Sequence, residues 1–329
     1  MSEREREKER KRVESRVLKM ADFVGKQFSE EDVASKVVEQ YDEEHTRIFY
    51  QCVMGGGGDD IHFGLFKKPE WGVRESSEAT TEFMLQSLDW ARPLGEDSHV
   101  LDAGSGHGGA AHTMAMKYGC KVTCFNLGPN QNELNRARAE TLGIGSKLTI
   151  KQGDLNAPLP KEWENSFDAV HSCEVFCHAA NKEKLLKELY RVLKPGGAIV
   201  FSDIMGADEA NEESLRAFTD RNATTFMGRP SKYLAAAKAA GFQYVQFADL
   251  SHHLEKYFHC MCTNINEGRA EMEKKGVPSA YLDNWLQSLT DREEIQKKEG
   301  VFSWGVFVFR KAMPGDPFYT RTGSANGSA

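Results

Sequence analysis

Short apolar runs alternate with amphipathic segments through most of the chain. The segment 182–194 places Leu185, Leu186 and Leu189 on one side of a helix, and 129–143 reads as a second helix with a proline at its start. Strands that alternate with helices form βαβ units, so the pattern predicts an α/β fold built on a parallel sheet. The apolar runs predict strands at 98–103, 120–126, 147–152, 166–172, 197–203, 244–250 and 301–311.

The two ends of the chain differ from this central body. Residues 1–16 are almost all charged, with mixed signs, which predicts a frayed helix or a disordered arm. Residues 313–329 have the composition of a linker and predict a disordered tail. The segment 252–298 is rich in Leu, Lys, Glu and Gln and predicts inserted helices. We therefore expect one α/β domain over 98–312 with this helical insertion, preceded by a lid and substrate segment at 17–97.

Composition excludes several classes of protein. The chain has 329 residues, of which 40% are apolar, so it can bury a large core. Its formal net charge of −7 argues against binding nucleic acid through bulk positive charge. No run approaches the ~18 apolar residues of a membrane span, and the N-terminus lacks the apolar stretch of a signal peptide. The seven cysteines stand at irregular spacings typical of reduced thiols, which favours a cytoplasmic location.

The turn after the first predicted strand carries the strongest chemical signal. Asp102 ends that strand, and Gly104 and Gly106 follow in a glycine-rich turn before a helix. Both glycines can take a positive φ and let a ligand approach the backbone, at the strand end where open α/β sheets bind ligands. The turn also fits the dinucleotide fingerprint, but Asp102 would repel a pyrophosphate. It suits a ligand with a cationic amino group and no phosphate, such as S-adenosylmethionine (SAM).

Together, several motifs resemble the class I SAM-dependent methyltransferases. They are VLDAGSGHGGAA, GDLNAPLP and FDAVHSCEVFCHAANKEKLLKELYRVLKPGG, which span about 98–203. The resemblance implies a Rossmann-like, seven-stranded, mostly parallel sheet flanked by helices, with an N-terminal lid and a helical insertion. It places the glycine turn at the methionine part of SAM and the residues after the third strand at the adenine. The residues that it assigns to the cofactor are Asp102, Gly104, Gly106, Asn126, Leu127, Gln131, Asp154, Leu155 and Glu174.

The second strand departs from the general pattern of these enzymes. It usually ends in Asp or Glu, which binds the ribose hydroxyls, whereas here it ends in Asn126. An amide can still accept and donate hydrogen bonds at that place. GGDDIHFGLF, CFNLGPNQN and FSWGVFVFRK are similar to the sarcosine/dimethylglycine N-methyltransferases of glycine betaine synthesis, in which Asn also appears there. This similarity spans about 40–311 and implies stepwise in-line methyl transfer to the two amines, giving betaine and S-adenosylhomocysteine.

Such an acceptor, small and zwitterionic, needs donors for its carboxylate and an aromatic enclosure for its cationic nitrogen. Tyr50, His62 and His178 are the expected catalytic residues. The expected substrate contacts add three further side chains, Trp71, Phe176 and Arg229, with Arg221 as an alternative carboxylate clamp. Methyl transfer needs no metal, and the His and Cys residues lack the spacing of a zinc site. We expect a monomer or homodimer without nucleic-acid or membrane partners.

Other functions stay open at this stage. A thioether or thiol acid could take the amine's place and yield a sulfonium osmolyte. A phosphoethanolamine-type acceptor would use extra cations, for which Lys67, Lys68 and Arg74 are available. An NAD-dependent oxidoreductase is disfavoured by Asp102 and Asn126. A catalytically silent SAM-binding protein would use the charged N-terminal arm as its partner surface.

Overall fold

A computed structural model describes residues 44–58, 60–219 and 227–316. The predicted N-terminal arm, the first part of the lid segment up to residue 43, Arg221 and the tail from residue 317 lie outside the described residues.

One sheet forms the centre of the described chain. Its strand order is β3-β2-β1-β4-β5-β7-β6, in which β1 to β5 pair in parallel and β7 runs antiparallel to both β5 and β6. The predicted seven-stranded, mostly parallel sheet is confirmed. The strands are β1 (His99–Ala103), β2 (Lys121–Asn126), β3 (Leu148–Gln152), β4 (Phe167–Cys173), β5 (Leu193–Gly206), β6 (Tyr244–Asp249) and β7 (Phe302–Arg310).

Helices connect the strands and cover the sheet. Pro129 occupies the first turn of its helix, and the Asn181 side chain caps another by accepting from the backbone N–H of Lys184 at 2.9 Å. No helix in the described ranges is long and apolar enough to cross a membrane. The helices are α1 (Glu44–Phe49), α2 (Val73–Ala91), α3 (Gly109–Lys117), α4 (Pro129–Thr141), α5 (Lys182–Val192), α6 (Glu212–Thr219), α7 (Pro230–Ala240), α8 (Leu254–Lys274) and α9 (Ser279–Glu299).

Both faces of the sheet are buried, and neighbouring residues along a strand face opposite sides. Leu101 packs with the predicted apolar face of α5, whereas its neighbour Val100 packs with α2 on the other side. On β5, Phe201 and Val200 likewise pack on opposite faces of the sheet. The near-continuous apolar runs read from the sequence therefore reflect burial on two sides.

A third apolar cluster lies beyond the sheet and joins the N-terminal segment to the predicted helical insertion. We call α1, the π-helical turn Tyr50–Met54 that follows it, α8 and α9 the helical cover. Phe49 stacks on Trp285 of α9 with ring centroids 4.9 Å apart. The Tyr257 hydroxyl of α8 donates to the carbonyl oxygens of Met54 and His62 at 2.9 and 2.7 Å. These contacts fix the N-terminal segment against the insertion.

Candidate functional site

A cavity lies between the carboxyl ends of β1 to β5 and the helical cover. The loops after β1, β2, β3 and β4 form its floor. Side chains of α1, α8 and α9 form its roof, together with residues 60–63. Because parallel strands end at the same edge of the sheet, segments far apart in sequence meet here.

The glycine turn after β1 is shaped to admit a ligand. Gly104 and Gly106 have φ values of 80° and 50°, which only glycine adopts without strain. A Cβ on Gly104 would come within 2.4 Å of a Val175 methyl group, whereas one on Gly106 would project into open space. The Ser105 hydroxyl is buried without a hydrogen-bond partner among the described residues. Close backbone approach and an unsatisfied polar group both fit the methionine part of SAM.

Asp102 is held in place by a residue that the sequence did not single out. His171 Nδ1 donates to its Oδ1 at 2.8 Å, and both side chains are buried. The next residue on β4, Ser172, donates to the carbonyl oxygen of Ala103 at 2.6 Å. The end of β1 is thereby fixed from β4, so Asp102 presents a defined carboxylate edge to the cavity.

The loops after β2 and β3 are also tied down by their own polar groups. Asn126 accepts from the backbone N–H of Gly106 at 3.3 Å and donates to Gln131 Oε1 at 3.0 Å. Its amide thus joins the glycine turn to α4. Asp154 accepts from the backbone and side-chain nitrogens of Asn156 at 2.8 and 3.1 Å.

All of the residues expected to bind the cofactor line this one cavity. They lie along it in the order of the strands, from Asp154 after β3 to Glu174 after β4. The set is Asp102, Gly104, Gly106, Asn126, Leu127, Gln131, Asp154, Leu155 and Glu174.

The residues expected at the acceptor divide into two groups. Tyr50, His62 and His178 line the cavity. Trp71, Phe176 and Arg229 are not among the described residues that line it.

Each of these three has a different environment, which corrects the expectation from the sequence. Phe176 is buried in the core beside the sheet, stacked on Phe201 with centroids 4.5 Å apart. Trp71 is partly exposed, with the ammonium of Lys68 5.9 Å from its ring. Arg229 binds the loop after β5, donating to the carbonyl oxygens of Ala207, Asp208 and Ala210 and to the Glu212 carboxylate. These three residues are close in sequence to segments that line the cavity, but their side chains do not line it.

His62 and His178, two of the histidines that line the cavity, have opposite electrostatic environments. Burial alone would lower the pKa of His62, but Asp60 holds that pKa above its ordinary value. His62 donates from Nε2 to Thr81 Oγ1 at 2.9 Å, and Thr81 passes a hydrogen bond on to Asp60, also at 2.9 Å. Burial and the nearby Lys182 instead lower the pKa of His178 to about 4. The surroundings of His62 therefore favour its protonated form, whereas His178 is neutral at pH 7.

Glu174 is the carboxylate that ends β4, and its backbone is unusual. Its φ of 56° is in the left-handed region that a residue with a side chain rarely adopts. Oε1 accepts from Trp304 Nε1 at 2.7 Å and from Ser202 Oγ at 3.0 Å. Oε2 is inaccessible to solvent and has no hydrogen-bond partner among the described residues. Burial and the neighbouring Asp203 raise the pKa of Glu174 to about 7.

Asp203 of β5 is an anchor for the loop after β4. It is fully buried and accepts from the backbone N–H of Cys177 at 2.9 Å and from the Tyr233 hydroxyl at 2.6 Å. Burial raises its pKa to about 6. The side chain therefore acts on the site in two ways, by holding the loop that carries His178 and by raising the pKa of Glu174 through its charge.

Comparison with known proteins identifies the family. A methyltransferase-domain family model matches residues 101–201. The chain is 33% identical over 282 residues to the sarcosine/dimethylglycine N-methyltransferase of Halorhodospira halochloris, covering 85% of this chain and 98% of that protein. The chain belongs to the sarcosine/dimethylglycine N-methyltransferase family. It is therefore a SAM-dependent methyltransferase, and the oxidoreductase alternative is not favoured.

Two further comparisons agree with this membership. The sarcosine/dimethylglycine N-methyltransferase of Aphanothece halophytica is 29% identical over 280 residues, covering 85% of this chain and 98% of that one. Among solved structures, a candidate sarcosine dimethylglycine methyltransferase from Galdieria sulphuraria superposes with a TM-score of 0.74 at 28% identity. That match covers 82% of this chain and 99% of the other.

One cation in this N-methyltransferase was missed at the sequence level. Arg292 of α9 is only 4% exposed and lines the cavity, with its guanidinium 4.6 Å from the Phe218 ring and 5.9 Å from that of Trp285. A signal for it did exist. Leu282, Trp285, Leu289 and Arg292 follow one another at helical spacing, so the arginine falls on the apolar face of α9.

Proposed function

We propose that this protein methylates sarcosine and dimethylglycine on nitrogen, forming glycine betaine. The observation that carries the proposal is Arg292, a guanidinium buried among aromatic rings at the cavity wall. A guanidinium binds a carboxylate through bidentate, charge-assisted hydrogen bonds, and aromatic rings beside it suit the cationic nitrogen of the same small amino acid. The two curated relatives named for these acceptors support the same substrates.

The order of the strands supports a division of the cavity between cofactor and acceptor. We assign the adenosine to the ends of β2 and β3, where Asn126, Gln131 and Asp154 lie, and the methionine to Gly104 and Gly106. SAM supplies a methyl group on a sulfonium sulfur. The acceptor then lies toward β4, β5 and the helical cover, on the far side of the glycine turn. In-line transfer requires this opposed arrangement, and holding the two partners in it can contribute about 7–11 kcal/mol.

The acceptor side offers groups for both ends of a small amino acid. We assign the carboxylate to Arg292 and to His62, whose protonated form is favoured by Asp60. The rings of Tyr50 and Trp285, which meet edge to face at 6.0 Å, face the methylated nitrogen. Aromatic faces attract quaternary ammonium groups, so this enclosure becomes more favourable as the last methyl group is added. His178, neutral at pH 7, completes the wall.

Incubation with methyl-labelled SAM and a panel of acceptors tests the proposal. The panel contains glycine, sarcosine, dimethylglycine, a thioether acid and phosphoethanolamine. We expect labelled dimethylglycine and betaine from sarcosine, the secondary amine, and labelled betaine from dimethylglycine, the tertiary amine. Label in the thioether acid or in phosphoethanolamine alone would overturn the proposal in favour of the corresponding alternative.

A variant at the clamp tests the assignment of the carboxylate. Arg292→Gln removes the charge, so we expect the KM for both amines to rise at least about tenfold, because a charge-assisted bond contributes about 1.5–3 kcal/mol. Affinity for SAM stays unchanged, because the cofactor residues lie on other loops. Arg269→Gln, which removes a half-buried arginine paired with the exposed Asp283 and away from the cavity, is the matched control. The seven free thiols support the further proposal that the enzyme works in a reducing compartment, the cytoplasm.

A further inference from the structure

The carboxylate of Glu174 is held rigidly from two neighbouring strands. Ser202 of β5 and Trp304 of β7 both donate to Oε1. The backbone of Glu174 is strained in this position, because its φ is left-handed, and this costs a residue with a Cβ about 1–2 kcal/mol. Strain of this kind persists only where the surrounding structure imposes it, and it is concentrated at functional sites.

The second oxygen of this carboxylate, Oε2, is left without a hydrogen-bond partner in the part of the chain that the structure describes. Glu174 lines the cavity, and Oε2 is excluded from solvent and has no partner within the described ranges. A buried acceptor left without a donor costs about 1–3 kcal/mol, so a donor from a ligand would be bound there favourably. The ionisable groups that interact with it come from β5, the N-terminal segment, α8, α7, β4 and the turn after β4: Asp203, His62, Tyr257, Tyr233, Cys173 and Cys177.

The chemistry of the proposed acceptors supplies such a donor. Near neutral pH their nitrogens are protonated, like the Lys ammonium with its pKa of about 10.4, and a protonated nitrogen has no lone pair with which to attack. Each methyl transfer therefore needs the loss of one N–H proton. Protonated sarcosine has two such protons, protonated dimethylglycine has one, and betaine has none.

We propose that Glu174 Oε2 binds the N–H of the acceptor and removes its proton, an inference that rests on the function proposed above. The N–H bond breaks and the proton moves to Oε2. The freed lone pair forms the new N–C bond, the S–C bond breaks, and its electron pair stays on sulfur. The proton then passes from Glu174 to water once the products leave. Betaine offers Oε2 no donor, so this contact is made only with acceptors that can still be methylated.

The environment of the carboxylate suits this task. Burial and Asp203 raise the pKa of Glu174 to about 7, while Trp304 and His62 oppose the shift. A base works best when its pKa lies near the working pH, because it is then both ionised and able to hold the proton. The sequence placed Glu174 among the cofactor contacts. Its position on the β4 side, beyond the glycine turn, assigns it to the acceptor instead.

Glu174→Gln is the test, because the amide keeps Oε1 for Trp304 and Ser202 and changes only the second position. We expect kcat/KM for sarcosine and dimethylglycine to fall at least about 100-fold, with the Kd for SAM within twofold of the wild type. In the wild type, kcat/KM rises through about pH 7 as Glu174 ionises, and the variant lacks this inflection. Glu183→Gln, an exposed carboxylate on α5, is the matched control and keeps full activity.

The outcomes separate this inference from the proposed function. If the wild type methylates neither amine, the proposed function fails. If the wild type is active and Glu174→Gln retains its rate and pH inflection, only the inference fails. If Glu174→Gln lowers the affinity for SAM as much as it lowers activity, Glu174 is a contact of the cofactor and the inference is wrong. Glu174→Asp provides a second measurement, in which we expect a lowered kcat with the pH inflection retained; loss of that inflection would also overturn the inference.

Discussion

Glu174→Gln should make the protein more stable at neutral and alkaline pH while it abolishes activity. In the folded state the pKa of Glu174 is about 7, against an ordinary value of 4.5. The folded protein therefore binds this proton more tightly than the unfolded chain does, and stability falls as pH rises from about 4.5 to 7. The glutamine variant has no proton to lose and escapes this loss.

The size of the effect follows from the shift. Each pKa unit corresponds to about 1.36 kcal/mol, so the difference in unfolding free energy approaches about 3 kcal/mol above pH 7. Unfolding entropies near 2.1 cal/mol/K per residue give about 0.7 kcal/mol/K for a chain of this length, and hence a rise in Tm of about 4 °C.

Thermal unfolding followed by circular dichroism from pH 5 to pH 8.5 measures this difference. The advantage of Glu174→Gln should be small near pH 5, grow with pH and level off above about pH 7. Glu183→Gln should show no such trend. A stability difference that is absent at pH 8, or that has the same size at pH 5 and pH 8, would refute the reasoning about this carboxylate.

Three other substitutions probe the remaining parts of the site. Gly104→Ala should weaken SAM binding at least about tenfold, because the new Cβ would clash with Val175 and the φ is left-handed. Gly143→Ala is the control: its φ is similar but the space around it is open, so it shows the effect of backbone strain without a clash. Calorimetry with S-adenosylhomocysteine measures the affinity of both variants. Asp154→Ala should raise the Kd for SAM and leave the KM of the acceptor unchanged, and an unchanged Kd would contradict its assignment. Tyr233→Phe should lower the unfolding free energy by about 1–3 kcal/mol in urea, because it leaves a buried carboxylate of β5 short of a donor; equal stability would show that the bond contributes nothing.

The sequence predicted the sheet well because its signal is local. The strands β1, β2, β4 and β5 are apolar runs, each followed by a segment with helical periodicity. The glycine turn can be recognised from residues such as Gly104, because glycine readily adopts the positive φ that the turn requires. The cofactor residues follow strand ends in sequence, so their meeting in one cavity could be expected from the topology alone.

The acceptor side was harder to predict because it depends on contacts between distant segments. Phe176 lies two residues after Glu174, yet a short turn directs it into the core. Arg292 comes from an inserted helix without a motif, and Trp304, which fixes Glu174, lies 130 residues further along the chain. Contacts between residues so far apart in sequence depend on how the whole chain packs, and no local sequence pattern predicts them.

The position of β7 has a consequence for how the enzyme is made. This strand lies between β5 and β6, and it carries the indole that holds the carboxylate of Glu174. During synthesis β1 to β5 can associate first, but β6 has no strand partner until residues 302–310 have left the ribosome. The strand ends that we propose to hold SAM, and Glu174 with them, can therefore assemble before the indole that fixes the Glu174 carboxylate. A nascent chain would hold the methyl donor before it could use it.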